Sequence, residues 1–76
     1  MLRLAKGDTL DIDLVADKGS SIEFVVKKSG KSIFSKRYRG GTIGIDIDEG
    51  VYTYQVNLIT KNKVIMWEPK YLIITQ

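Results

Sequence analysis

The 76 residues carry 12 Lys and Arg against 9 Asp and Glu, a net charge of +3, with neither Cys nor His. A chain this short buries only about 60% of the surface its unfolded form exposes, so one domain spanning 1–76 with a thin core is expected. The missing residue types exclude a disulfide staple, a thiolate nucleophile or ligand, and the commonest general base.

Met1 to Leu10 lacks the basic, apolar and cleavage-site order of a signal peptide, and no apolar run approaches membrane length. A soluble protein made in the cytoplasm is the expectation. The modest basic excess favours solubility without announcing nucleic acid.

In chain order, Leu2 and Leu4 alternate with Arg3, predicting a short first strand before a turn at Lys6-Gly7-Asp8. Leu10, Ile12 and Leu14 then face one way while Thr9, Asp11 and Asp13 face the other, the period of two of a half-buried strand. Asp17-Lys18-Gly19-Ser20 ends it with turn residues.

Ile22, Phe24 and Val26 repeat the alternation, and Lys28-Ser29-Gly30-Lys31 signals a hairpin. Its register is ambiguous because Ile33 and Phe34 are both apolar. A two-residue turn sets Phe24 opposite Ser35; a three-residue loop with Gly30 in the left-handed position sets Phe24 opposite Phe34. The second is expected, since it turns Phe34 and Tyr38 inward and leaves Val25 and Ile33 on the outer face.

Arg39-Gly40-Gly41-Thr42 forms the next turn, and Ile43, Ile45 and Ile47 the next inward row. A long strand through Tyr52, Tyr54 and Val56 follows, and Lys61-Asn62 turns it back into Val64-Ile65-Met66-Trp67. Pro69 has no N–H to donate, so Glu68-Pro69-Lys70 must be a bend, an edge or a bulge before the last strand, Tyr71 to Thr75. About seven short strands without helical periodicity predict an all-β, antiparallel β-sandwich, with a small β-barrel as the alternative.

Asp48, Gly50, Tyr52, Tyr54 and Val56 recur at every second residue. This resembles the corner of an immunoglobulin-like sandwich, Asp-x-Gly-x-Tyr-x-Cys-x-Val, with Tyr54 where the Cys stands. The resemblance implies that the Tyr52 hydroxyl bonds back to upstream backbone. The Trp expected on the third strand is absent; Trp67 lies near the end.

No enzyme is expected. Ser20, Ser21, Ser29, Ser32 and Ser35 lie in turns or on outward strand positions beside Lys, where surface pairs are the rule. Asp11 with Asp13, and Asp46 with Asp48 and Glu49, read first as solvated acids and turn caps. A calcium site or a carboxylate pair for glycoside hydrolysis would need a fuller oxygen set or a cleft. No cofactor and no metal are expected.

Lys27, Lys28, Lys31, Lys36, Arg37 and Arg39 form a basic hairpin. Cations on an exposed edge block unwanted strand addition, and the same ribbon is the candidate for nucleic acid. Trp67 and Tyr71 flank Pro69 and are the candidates for a sugar-stacking or protein-contact patch, with capping of one end of the core as the plain alternative for Trp67. Val25, Ile33, Trp67, Tyr71 and Ile73 are the interface candidates.

The succession Lys6-Gly7-Asp8-Thr9-Leu10-Asp11-Ile12, Ile22-Glu23-Phe24-Val25-Val26-Lys27 and Glu49-Gly50-Val51-Tyr52-Thr53-Tyr54-Gln55-Val56 resembles the immunoglobulin-like N-terminal module of tailed-phage baseplate and tail proteins. The stretch from Asp17 to Ser21 is shorter than the connection those modules carry. The resemblance implies a virion location and a structural part of a tail, neck, baseplate or decoration. Its partners would be copies of itself or other virion proteins, with no membrane. A small basic nucleic-acid-binding domain and a carbohydrate-binding module are the competing readings.

Overall fold

A computed structural model describes residues 1–12, 18–39 and 41–76, with Ile12 described by its backbone alone. The expectations for Asp13, Leu14, Val15, Asp17 and Gly40 fall outside the described residues. The described chain is all β: β1 (Leu2–Ala5), β2 (Thr9–Ile12), β3 (Ser21–Lys28), β4 (Lys31–Tyr38), β5 (Gly41–Gly44), β6 (Gly50–Ile59), β7 (Val64–Met66) and β8 (Lys70–Thr75).

Six strands form one sheet in the order β1-β8-β6-β3-β4, with β7 paired to β6 beyond the end of β8, while β2 and β5 form a separate two-stranded sheet. Neither β1 nor β4 has a second ladder among the described residues, so the large sheet is open and the architecture is that of a β-sandwich, not a closed barrel. All ladders are antiparallel except β1 with β8, which is parallel. This corrects the wholly antiparallel expectation. β1 is followed by a strand of the other sheet, so no hairpin dictates its direction. Its pairing sets Leu2 beside Leu72 and Leu4 beside Ile74.

Even-numbered residues of β1, β3, β6 and β8 face the small sheet. Phe24, Val26, Tyr52, Leu72 and Ile74 are buried there against Ile43, Ile45 and Ile47. Ile43, Ile45 and Ile47 keep their inward alternation although β5 ends at Gly44; Ile45 N–H continues the small sheet by donating to the Asp8 carbonyl. Phe24 stacks on Tyr54 at 5.6 Å and meets Phe34 edge-on at 6.5 Å.

The β3–β4 hairpin differs from both registers read in the sequence. Ser29 (φ 52°) and Gly30 (φ 78°) form a two-residue turn with both residues left-handed, whose twist matches that of the strands. Lys28 then opposes Lys31 and Lys27 opposes Ser32, but Val26 opposes Phe34, so Ile33 is the extra residue of a bulge. Phe24 therefore faces Lys36. Phe34 and Tyr38 still pack against the core, as expected.

The corner before β6 has the bond that the resemblance implied. Tyr52 Oη donates to the Asp48 carbonyl at 2.6 Å. Gly50 permits this: its φ is 156°, and a Cβ there would sit 3.2 Å from the Tyr52 hydroxyl. Lys28 Nζ lies over the Tyr52 ring, 5.4 Å from its centre.

Tyr38 has the opposite fate. Its hydroxyl is buried and has no hydrogen-bond partner among the described residues, and desolvation pushes its pKa up to about 12. The same substitution at these two tyrosines should therefore act in opposite directions. Tyr52→Phe loses a made hydrogen bond worth about 1 kcal/mol, lowering Tm by about 4–8 °C. Tyr38→Phe removes an unmade one and should leave Tm unchanged or raise it. Because Tyr38 ionises at lower pH when unfolded than when folded, it withdraws stability as pH rises above about 10. Thermal melts at rising pH should show the Tyr38→Phe protein gaining on the parent in that window; parallel curves would contradict the burial of the hydroxyl.

Candidate functional site

The large sheet has an outer face, away from the small sheet, and pairing decides what lies on it. Val51 opposes Ile73, Thr53 opposes Tyr71, and Asn57 opposes Met66. Val51, Met66 and Tyr71 are each more than 60% exposed, and Ile73 is half-buried between them and β1. Val51, Tyr71 and Ile73 make an apolar strip along β6 and β8, while Met66 lies four residues farther along β6 from the Tyr71 pairing, about 13 Å at ordinary strand rise.

Of the expected interface residues, Tyr71 and Ile73 lie in this strip. Val25 is on the same face, yet it is buried rather than exposed: central in the sheet, it is flanked by Gln55 and Ser35 on the neighbouring strands. Ile33, exposed, sits on β4, three strands from β8, about 14 Å away at ordinary strand spacing. Val51 and Met66 were missed. Continuing the alternation outward from Tyr52 would have found Val51.

Trp67 belongs to the opposite side. Asn57 opposes Met66 but Tyr54 opposes Lys70, so three steps along β6 match four on its partner. That is a bulge, and it absorbs the residue that cannot donate. Trp67 N–H still donates to the Val56 carbonyl at 3.2 Å, and Gln55 Nε2 donates to the Trp67 carbonyl at 3.0 Å. The Trp67 side chain, 51% exposed, lines an open groove of about 360 Å³ with Tyr54, Val56, Glu68 and Lys70. Trp67 and Tyr71 therefore do not form one patch.

The basic hairpin is divided as well. Lys28 opposes Lys31 and Lys36 opposes Phe24 on the inner side, while Arg37 opposes Glu23 and Lys27 opposes Thr53 on the outer side. Arg39 is exposed beyond the end of β4. A second basic surface, at the other end of the sheet, was not foreseen: Lys18, Lys61 and Lys63 surround a shallow polar hollow with Ser20, Thr60 and Asn62.

The acids are engaged locally. Thr42 Oγ1 donates to Asp11 across the small sheet at 2.6 Å, and Asp8 accepts from Ala5 N–H at 2.9 Å. Lys6 Nζ lies 3.0 Å from Asp48, a bond that raises the Lys6 pKa at an exposed site. Among the described residues no three acidic side chains are grouped so as to hold a metal ion. On the outer face, Asn57 Nδ2 donates to Glu23 at 3.1 Å while the buried Asn57 Oδ1 has no partner among the described residues.

No protein-family model matches the chain, and no curated protein or solved structure does either.

The split of the basic hairpin sets a limit on polyanion binding. One face offers at most three cations, so a single-stranded DNA oligomer should bind with a log K against log salt slope no steeper than roughly −2. Fluorescence anisotropy at stepped salt measures it. A slope near −4 would mean that one strand engages both sides of the hairpin.

Proposed function

We propose that this domain is a non-enzymatic structural module of a phage particle, in its tail, neck, baseplate or decoration, working through protein-protein contacts. The virion setting rests on the resemblance of the Lys6–Ile12, Ile22–Lys27 and Glu49–Val56 stretches to baseplate and tail modules. The observation that supports contact with protein is the strip of Val51, Tyr71 and Ile73 on an open sheet face. Single exposed apolar residues are ordinary, but several adjoining on one face mark an interaction surface.

The occupants that suit the strip are a second copy of the chain or a neighbouring virion protein. The edges of the large sheet do not compete with it: β4 carries Lys31, Lys36 and Arg37, which discourage strand addition, and β1 is four residues long.

Light scattering after size exclusion, at low and at moderate salt, tests self-association. A salt-resistant oligomer that Tyr71→Lys converts to monomer, with unchanged Tm, supports the reading. A monomer at both salts removes self-association and leaves only contact with another virion protein. Mass spectrometry of purified particles from a phage encoding the chain then decides, and its absence from them would end the virion reading.

A further inference from the structure

We propose that the groove beside Trp67 is a binding site for a neutral saccharide, independent of the contact strip on the other face. Its floor is apolar and firm. Tyr54 is stacked on buried Phe24, Val56 packs against the core, and the Trp67 backbone is pinned on both sides by Val56 and Gln55. Trp67 lines that groove half exposed, so part of its indole is open to a ligand.

The rim selects the ligand. Glu68 and Lys70 line the same groove, one an acceptor only and the other a donor only. Among the described residues Lys6–Asp48 is the one ion pair, so the ends of Glu68 and Lys70 are not spent on each other. A cation over Trp67 would be welcomed by Glu68 and repelled by Lys70; an anion meets the reverse. An apolar peptide would desolvate both charges without pairing them. A pyranose satisfies all three demands: its C–H face stacks on the indole, and its hydroxyls both donate to a carboxylate and accept from an ammonium. The groove volume, about 360 Å³, lies at the small end of ligand pockets. The site is shallow and open, so a millimolar affinity per sugar ring is expected.

Trp67 is the single tryptophan of the chain, so its fluorescence reports the site directly. Titration with cellotetraose, a β-linked glucose oligomer with flat C–H faces, should shift or quench the emission saturably. Methyl β-glucoside should do the same more weakly. Glu68→Gln and Lys70→Gln should each weaken binding several-fold with unchanged Tm, while Tyr71→Ala, on the opposite face, should change nothing. NMR-detected titration of Trp67→Ala should show at least a tenfold loss. No saturable response to either sugar up to tens of millimolar overturns the proposal. So does a stronger response to tetramethylammonium or to inorganic phosphate, since either would show that one rim charge governs the site alone.

Discussion

The hydrogen bond from Tyr52 to the Asp48 carbonyl fixes where the longest strand begins, and the two layers depend on that point. Upstream lies the segment carrying Ile43, Ile45 and Ile47, which supplies the covering layer; downstream lies β6, which pairs with β3, β7 and β8. If the corner opened, the isoleucines would lose their placement over Phe24, Val26 and Leu72. The bond has room because Gly50 carries no Cβ, and the Tyr52 ring also holds the Lys28 ammonium over one face. A chain with no disulfide thus closes its sandwich with one phenol, one bare backbone position and one ammonium.

Two bulges then decide which residues the surface presents. A strand alternates faces at every residue, so a single inserted residue exchanges inside for outside along all that follows. In the β7–β8 edge, Ile65 faces inward on one side of the Glu68-Pro69 bulge and Leu72 and Ile74 face inward on the other, an odd set and an even set that no regular strand reconciles. The same device at Ile33 lets Lys31 oppose Lys28 while Phe34 and Tyr38 still turn to the core. Both bulges lie outside the central β3–β6 pair, where bending the backbone disturbs fewest ladders.

That pattern explains what the sequence could and could not tell. The inward rows were legible because each is a strict alternation of large apolar residues: Leu2 and Leu4, Ile22 to Val26, Ile43 to Ile47, Tyr52 to Val56. The corner was legible because its spacing is tied to one hydrogen bond. The hairpin register was not, since adjacent Ile33 and Phe34 fit either face and the choice rests on turn twist plus a bulge. Trp67 and Tyr71 were read as one patch because they flank Pro69. Only the ladders on either side of Pro69, Met66 with Asn57 and Tyr71 with Thr53, show that the extra residue sends them apart. Val25 differs for another reason: outward direction is not exposure at a central position, where side chains on both flanking strands lie alongside.

The groove beside Trp67 sits where β6 lacks a regular partner on one side. Among the described residues Ile43, Ile45 and Ile47 pack in one cluster with Phe24, Val26, Tyr52, Leu72 and Ile74, and Tyr54 and Val56 lie partly buried at its side. Farther along the same inner face burial resumes, since Ile22 is buried and so is the hydroxyl of Tyr38 opposite it. The groove is therefore a local gap and not an uncovered end. Its remaining walls, Trp67, Glu68 and Lys70, come from the interruption between β7 and β8, where the ladder with β6 breaks after Met66 and resumes only at Lys70. A regular strand there would carry its side chains in strict alternation against β6 and leave no opening. The residue that cannot donate to the ladder, Pro69, thus lies in the segment that leaves an aromatic side chain open to a ligand.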